Sequence, residues 1–384
     1  MRVLVAFDKF KGSIGAAQAC DVAAGVVSGL GWEADRCPLT DGGEGFAAIL
    51  TRAAGGRESS HTVAGPRGEP VRASIGIVPA DAIRAGARAR LAAAVPGSRV
   101  GVVEMAAASG LALLAPQLRD PFLASSRGTG ELIRAAAQAG VQSVLLGVGG
   151  SATHDLGLGA LGALGLSFAD GSGRPIPRIT PADFARLGRI EGRIEGPLPP
   201  IAIACDVDNP LLGPNGAAAV YGGQKGLAPA DLPELERQTA SVAAMLCRHF
   251  GRPADLASHP GAGAAGGIAF GLMAAAGAVL IPGFELVASW LDIERRLAGA
   301  DLVVTGEGRF DDTSLRGKGP GAVARLGLSL GKEVHVFAGR IALSRGIPGL
   351  FVHEITPAGT AAAEAFPGAP EFLERAVRLA LSRA

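Results

Sequence analysis

The chain opens with the run Val3-Leu4-Val5-Ala6-Phe7-Asp8-Lys9-Phe10-Lys11-Gly12-Ser13. Its first five residues are apolar, which predicts a short buried strand, and Ser13 is a residue type that begins helices, here one that runs to residue 30. Residues 32–39 and 46–54 repeat the pattern of strand and helix. Two consecutive units of this kind favour a parallel sheet that is covered by helices.

The rest of the chain divides into an inner part and an outer part. Residues 57–79 mix Thr, Val, Ser and Ile with Gly and Pro, which favours antiparallel strands, whereas the end of the chain returns to strand–helix units. We therefore expect an α/β protein of two domains, in which a Rossmann-like parallel α/β domain is built from both chain ends and a mixed α/β domain is inserted between them. The expected domains are residues 1–60 with 287–384, and residues 61–286. A ligand is expected in the interdomain cleft, since such clefts are common binding sites.

The elements after residue 79 are predicted from their apolar patterns. The predicted strands are residues 99–105, 143–147, 201–204, 302–305, 333–338 and 350–354. The predicted helices are residues 130–139, 155–164, 230–250, 266–276, 321–330 and 371–383. Residues 171–200, rich in Pro, Gly and Arg, are expected to form a surface excursion.

The composition favours small molecules as partners. The chain has 384 residues, of which 48% are hydrophobic, and its 36 basic and 35 acidic residues give a formal net charge of +1. Neither nucleic acid nor a membrane is therefore expected as a partner. The four cysteines form no C-x-x-C pair, and the N-terminal apolar run is too short for a signal peptide, so we expect reduced thiols and a cytoplasmic protein. Composition does not indicate the oligomeric state.

The common nucleotide-binding fingerprints are absent or misplaced. Gly317-Lys318 lacks the preceding glycine and the following Ser or Thr of a Walker A loop. The pattern G-x-G-x-x-G occurs at residues 157–162 and 261–266, but in neither place does it open a helix directly after a predicted strand. Protein-kinase signatures are also absent. Phosphate binding, if present, must come from other loops.

Two loops near the N-terminus carry charged residues after predicted strands. Lys9 and Lys11 precede a helix, where their charges and free backbone N–H groups favour an anion; a solvated turn capped by Ser13 is the alternative. In the second loop, Thr40-Asp41-Gly42-Gly43-Glu44-Gly45, Asp41 and Glu44 lie among residues with little bulk, so a ligand could approach the backbone. A tight turn whose acids balance the helix dipole is the alternative.

Two further loops suggest phosphate and metal binding. The stretch Gly147-Val148-Gly149-Gly150-Ser151-Ala152-Thr153 combines consecutive unencumbered N–H groups with two hydroxyls, as in a phosphate-binding nest. The stretch Cys205-Asp206-Val207-Asp208-Asn209-Pro210 offers alternating carboxylates, which suit Mg²⁺. The alternatives are a capped strand-to-helix turn for the first stretch and an Asx turn for the second.

A fifth loop, residues 305–314, concentrates ionisable side chains and leads on to Lys318. Glu307, Arg309 and Asp311 place acids and a base in one excursion at a strand end, which suggests chemistry, with a solvated surface loop as the alternative. The histidines form no pair at metal-ligand spacing, and only His154 lies next to one of these loops.

Taken together, these motifs resemble the class I glycerate kinases, in the order of that family, from the first strand to about Lys318. The motifs that carry the resemblance are residues 7–13, 39–45, 104–111, 128–133, 149–153, 205–211, 260–267 and 305–309. The sequence departs from the family pattern at Lys9, Gly223 and Thr313, where serine, proline and glutamine are usual.

The resemblance implies ATP-dependent phosphorylation of D-glycerate in a two-domain α/β structure with an interdomain cleft, and many family members are taken to yield 2-phosphoglycerate. Phosphoryl transfer requires a metal ion, cationic groups and a carboxylate that accepts the hydroxyl proton. We expect ATP and Mg²⁺ as cofactors, with Asp41 as proton acceptor and Asp206 and Asp208 as metal ligands.

The other expected site residues are assigned to the steps of the same phosphoryl transfer. The catalytic set is Asp41, Lys9 and Asp206. The expected glycerate-binding residues are Lys11, Ser13, Glu44 and Arg309, with Arg309 pairing with the substrate carboxylate. The expected nucleotide-binding residues are Gly149, Gly150, Ser151, Thr153, Glu307, Asp311 and Lys318. Two alternatives stay open: a kinase of another small sugar acid, since residues 147–152 also resemble the phosphate loop of galactokinase-like kinases, and a non-catalytic metabolite-binding sensor.

Overall fold

The computed structural model describes residues 1–92, 94–316, 319–360 and 365–382, so that Lys318 lies outside the described residues. The chain divides into two compact units, Met1–Asp41 with Val287–Ala384, and Gly42–Leu286. The cleft expected between the two domains stays a prediction.

The strands in chain order are β1 (Arg2–Phe7), β2 (Glu33–Arg36), β3 (Arg57–Ala64), β4 (Pro70–Pro79), β5 (Arg99–Glu104), β6 (Ser143–Gly147), β7 (Leu166–Asp170), β8 (Leu187–Gly192), β9 (Ile201–Ala204), β10 (Val279–Ile281), β11 (Leu302–Asp311), β12 (Glu333–Ala342) and β13 (Leu350–Glu354).

The α-helices of the described residues are α1 (Ala16–Gly29), α2 (Phe46–Ala53), α3 (Ala85–Arg88), α4 (Ala106–Ser109), α5 (Arg127–Gln138), α6 (Leu158–Ala163), α7 (Ala217–Tyr221), α8 (Leu232–His249), α9 (Ala264–Ala276), α10 (Gly283–Trp290), α11 (Ile293–Ala298), α12 (Asp312–Arg316), α13 (Pro320–Ser329) and α14 (Ala369–Leu381).

The first unit contains a five-stranded sheet in the order β13-β12-β11-β1-β2, in which every pairing is parallel. Val3, Val5 and Phe7 of β1 face the core formed with α1 and α14. Helix α13 packs against β1, β11 and β12. Burial on both sides explains why β1 is a continuous apolar run and not an alternating one.

The second unit contains a six-stranded mixed sheet in the order β10-β9-β6-β5-β4-β3. Strands β5, β6, β9 and β10 are parallel, whereas β4 runs antiparallel to both of its neighbours. Helix α2 packs on β4 and β5. This packing explains why the first division of the chain lies at Asp41 and Gly42, whereas the sequence suggested one near residue 60.

Two predicted loops contain additional strand. Residues 171–200 were expected to be a surface excursion, but β8 lies within them and pairs antiparallel with β7. Strand β11 was expected to end at residue 305, but it continues to Asp311 because residues 309–311 pair with residues 340–342 of β12. Phe310 is fully buried, which anchors this extension.

No helix in the described part of the chain has both the length and the apolar character needed to cross a membrane. All four cysteines are outside disulfides.

Candidate active site

A cavity of about 590 Å³ opens in the first unit at the carboxyl ends of the parallel strands. Strands β1 and β11 are paired so that Phe7 lies beside Gly306, and the segments that follow these two residues therefore meet at one edge of the sheet. The cavity gathers six residues that the sequence analysis selected from three separate loops, namely Lys9, Lys11, Ser13, Asp41, Glu307 and Arg309. Apolar side chains of Phe10, Ile355 and Phe366 complete part of its wall.

Lys9 forms the central ion pair of this cavity. Its Nζ lies 2.7 Å from Asp41 Oδ1 and 3.8 Å from Asp8 Oδ1. The Lys9 side chain is only 11% exposed, while that of Asp41 is 46% exposed. The lysine thus stabilises the ionised form of Asp41, which stays accessible to a ligand. Asp8, a buried carboxylate next to the selected Lys9, was not singled out from the sequence.

Glu307 has an unusual proton affinity for a carboxyl group. The pKa of Glu307 is raised to about 7, chiefly by burial; a hydrogen bond from Ser314 opposes this rise, and the nearby carboxylates of Asp8, Asp311 and Asp41 add to it. A group with this pKa can gain or lose a proton near neutral pH, as proton-transfer chemistry requires.

Arg309 is held by a neighbour on its own strand. Its Nε donates a hydrogen bond of 3.0 Å to Asp311 Oδ2. Hydrogen bonds from Thr313 lower the pKa of Asp311, and the Thr313 backbone N–H donates to Asp311 Oδ1 at 2.9 Å. Among the described residues, Asp311 is not part of the cavity lining; it orients Arg309 and fixes the start of α12.

In the second unit, three loops meet at the edge formed by β6 and β9. These strands are parallel and pair Gly147 with Ala204, so the glycine-rich loop and the Asp206 loop begin side by side. The Gly149 N–H donates to Gly42 O at 3.0 Å. A Cβ on Gly149 would lie 2.7 Å from Gly43 N, a backbone atom that cannot move aside easily. Glycine is therefore required where these two loops cross.

Glu44 lies beside the same loop. Gly150 has a φ of +71°, and a Cβ at this position would lie 3.1 Å from Glu44 Oε1. The structure thus places Glu44 with Gly149 and Gly150 in the second unit, while Asp41, three residues earlier, belongs to the first unit.

The hydroxyl-bearing end of the glycine-rich loop is buried. Ser151 is 8% exposed and Thr153 is fully buried. Lys225, which is 2% exposed, donates from Nζ to Ser151 Oγ at 3.0 Å and to Thr153 O at 2.7 Å. Lys225 was not selected from the sequence. A usable signal was its rarity, because only five lysines occur among the 36 basic residues, and this one lies in a glycine-flanked motif.

His154 and Asp155 form a buried layer behind this loop. Burial and, to a smaller extent, the charge of Lys225 lower the pKa of His154 to about 3, and its Nε2 lies 3.2 Å from Thr239 Oγ1. Burial raises the pKa of Asp155, whose Oδ2 accepts hydrogen bonds from Ser126 N at 2.7 Å and Ser126 Oγ at 2.8 Å. Both residues therefore support the loop from inside the unit.

Asp206 and Asp208 lie in the loop that follows β9, after Cys205. Asp206 Oδ2 accepts a hydrogen bond of 2.9 Å from Phe284 N, and Asp208 is exposed. Tyr221 steadies the loop by donating its hydroxyl to Asn209 Oδ1 at 2.7 Å.

The donor set of this loop fits Mg²⁺ but not a closed metal site. Among the described residues, no three His, Cys, Asp or Glu side chains group as metal ligands. Mg²⁺ is commonly held by one or two carboxylates, with phosphate oxygens and water as the other ligands. Asp206 and Asp208 provide that number of carboxylates on one short loop.

Comparison with known proteins gives a consistent result along the whole chain. The model of the glycerate kinase family matches residues 3–380. The chain is 36% identical to the glycerate kinase of Bacillus subtilis, covering 98% of this chain and 96% of that protein. It is 35% identical to the glycerate 2-kinase of Escherichia coli, with coverage of 98% and 96%. A crystal structure described as glycerate kinase 2 of Salmonella typhimurium superposes with a TM-score of 0.74 at 34% identity, covering 100% of this chain and 98% of that one.

Proposed function

Because this chain belongs to the glycerate kinase family, we propose that it transfers the γ-phosphate of ATP to D-glycerate and yields 2-phosphoglycerate, with Mg²⁺ as the metal ion. The observation that carries the proposal is the 590 Å³ cavity in which Lys9 and Asp41 are paired 2.7 Å apart. Glycerate has a carboxylate and two hydroxyl groups, so its kinase needs cations and a proton acceptor in one place.

The first unit supplies the groups that handle glycerate. Arg309 and Lys11 bind the substrate carboxylate, and Ser13 hydrogen-bonds to the substrate. Asp41 accepts the proton of the attacking hydroxyl while Lys9 balances the charge that remains. Glu307 has a pKa of about 7 and lies near the carboxylates of Asp8 and Asp41. It takes up a proton when the negative charge of this group of side chains and the bound substrate increases.

The second unit supplies the groups that bind the nucleotide phosphates. The backbone of the loop at Gly149 and Gly150, where no side chain hinders close approach, forms the phosphate-binding part together with the Ser151 hydroxyl; the Gly149 N–H itself stays bonded to Gly42 O. Thr153 supports this loop through its backbone carbonyl, which is hydrogen-bonded to Lys225. Glu44 borders the loop at Gly150 and limits how far an anion can extend along it.

Asp206 and Asp208 would hold Mg²⁺, which supplies positive charge against the β- and γ-phosphates. Asp311 acts through Arg309, and Lys318 remains a proposed nucleotide-binding residue. Cytoplasmic location is part of the proposal, supported by four cysteines that form no disulfide.

The proposal is tested by measuring ADP release with D-glycerate, ATP and Mg²⁺ and identifying the product by phosphorus NMR. We expect release that depends on D-glycerate, that is abolished by EDTA and restored by Mg²⁺, and a product signal of 2-phosphoglycerate. A 3-phosphoglycerate signal would overturn the regiochemistry alone. Turnover only with another sugar acid, or glycerate binding without ADP release, would replace the proposal by one of the two alternatives.

The role of Arg309 has a matched control in the same chain. Arg309 pairs with Asp311, and the exposed Arg378 pairs in a similar way with Glu374 at 2.8 Å on α14. Arg309→Met should raise KM for glycerate by roughly tenfold or more, the value of a charged hydrogen bond, while Arg378→Met leaves KM unchanged. Equal KM values in both variants would remove Arg309 from the substrate site.

A further inference from the structure

Lys225 is a buried cation that the reaction chemistry above does not use. It ends a 3₁₀ turn, Gly223–Lys225, and is only 2% exposed. Removing an ammonium group from water costs several kcal/mol unless partners compensate. Both of its hydrogen bonds go to one place, the end of the glycine-rich loop at Ser151 and Thr153.

The charge of Lys225 is not neutralised by a direct ion pair. In the described part of the chain, its hydrogen bonds go to a hydroxyl and a carbonyl, and the charge of Asp155 acts on it without a hydrogen bond between the two. Asp155 directs its own oxygens to Ser126, Gly157 and Gly159. The Lys225 ammonium group therefore lies directly behind the loop without a hydrogen-bonded carboxylate among the described residues.

A second observation points to a polar arrangement that a ligand would complete. Thr153 Oγ1 is buried and has no hydrogen-bond partner among the described residues. Such unsatisfied buried groups are rare in native proteins, and a bound ion or a catalytic role is among the explanations for them. An ammonium group without a bonded carboxylate and an unsatisfied hydroxyl therefore lie together at the end of this loop.

We propose that Lys225 is a positioning residue that holds Ser151 and Thr153 in the phosphate-binding form of the loop and stabilises the bound nucleotide phosphates with its charge. This inference rests on the proposed function, because it assumes that the loop binds nucleotide. It assigns to Lys225 an electrostatic contribution that a neutral side chain of the same size does not make.

Binding of nucleotide at the loop should change the protonation of Lys225. Burial lowers the pKa of Lys225 to about 7, while Asp155 acts in the opposite direction. The other titratable group facing it, His154, is neutral because its pKa is about 3. An anion bound at the loop favours the charged ammonium and so raises the pKa of Lys225. Nucleotide binding should then take up a proton just above pH 7, and affinity should fall as pH rises.

The test is calorimetric titration of the full-length protein with ADP and Mg²⁺ between about pH 6.5 and pH 8.5, in buffers of different ionisation enthalpy. For the wild type we expect proton uptake and a loss of affinity that approaches about tenfold per pH unit at most. Lys225→Met should bind roughly tenfold or more weakly at the lower pH and lack this proton uptake. Lys225→Arg should keep a pH-independent affinity, because guanidinium stays charged.

Protons exchanged by other groups are separated by two controls. ADP titrates identically in all variants, so differences between variants report the protein. Glu307→Gln removes a carboxyl group whose pKa is also about 7, and proton uptake should persist in this variant even if a Lys225 variant fails to fold.

The outcomes distinguish the two proposals. If ADP does not bind the wild-type protein, the proposed function fails and the role of Lys225 fails with it. If ADP binds but affinity and proton uptake show no pH dependence in the Glu307→Gln protein, or are the same in wild type and Lys225→Met, only the role of Lys225 is overturned.

Discussion

The ion pair of Lys9 and Asp41 joins two residues that are far apart in the sequence. The sequence indicated both residues from the loops that contain them, but not that they touch. Their 32-residue separation is closed only because the segments after β1 and β2 end at the same edge of the first sheet. Lys225 was missed for a related reason: it lies 74 residues from Ser151 in sequence, and no local pattern connects them.

Asp41→Asn tests the proton acceptor. The substitution keeps the size of the side chain but removes the basic oxygen, so kcat should fall by about 10²- to 10⁴-fold, the usual contribution of general base catalysis. KM for glycerate should change little, since Lys11 and Arg309 are intact. The measurement is steady-state ADP release at saturating glycerate.

Asp21→Asn is the matched control for this variant, because Asp21 forms an exposed ion pair with Arg36 at 3.6 Å away from the cavity. Its kcat should equal that of the wild type. Undiminished turnover of Asp41→Asn would exclude Asp41 as the proton acceptor. Glu307, which lines the same cavity, would then be the next candidate for that role.

At the scale of secondary structure, the bounds of strands were predicted best for buried segments that are largely apolar. Strands β6 and β9 have the predicted bounds and are fully buried, and a fully buried strand needs no partner-specific pattern. Strand β13 also has the predicted bounds, although most of it is exposed. The extension of β11 and the hairpin of β7 and β8 were missed. In both, polar and glycine residues form strand because a neighbouring strand supplies hydrogen bonds, and local propensity does not contain that information.

Helix α1 offers a prediction about backbone conformation alone. Gly25 is exposed in the middle of α1, and a Cβ there would meet no atom within 4 Å. Gly25→Ala should therefore raise the free energy of unfolding by up to about 1 kcal/mol, the helix propensity difference between alanine and glycine. Urea-induced unfolding measures the change, and kinase activity should not alter.

Gly31 provides the contrasting variant. It also has open space around the Cβ position, but its φ is +77°. Gly31→Ala should lower the free energy of unfolding by about 1 kcal/mol, because residues with a Cβ disfavour left-handed backbone. If both variants shift stability in the same direction, backbone conformation is not the cause.

For the whole molecule, the sequence indicated the discontinuous order of parallel and mixed α/β segments, and its division near residue 60 differs from the division of the structure at Asp41 and Gly42. The boundary follows packing: α2 continues the pattern of the first strand–helix units in sequence, yet it covers β4 and β5 of the second sheet. Which sheet a helix covers depends on the final arrangement of strands, and the periodicity of the helix does not specify it.

The pH dependence of the free energy of unfolding includes contributions from Glu307 in the first unit and His154 in the second. The pKa of Glu307 is raised from 4.5 to about 7 in the folded protein. Between these values the folded state binds a proton that the unfolded state lacks, so the contribution of Glu307 to stability falls as pH rises from 4.5 to 7. The pKa of His154 is lowered from 6.5 to about 3, so its contribution is complete above pH 6.5 and is lost as pH falls towards 3.

Between about pH 4.5 and pH 6.5 these two groups therefore act in opposite directions, and removing one should reveal the other. Glu307→Gln should gain stability relative to the wild type as pH rises through this range, by on the order of 1 kcal/mol once partial exposure is taken into account. Thermal melts of both proteins at half-unit pH intervals measure the difference. A constant difference in melting temperature across the range would show that Glu307 titrates normally, and its role as a neutral-pH proton acceptor beside Asp41 would then be untenable.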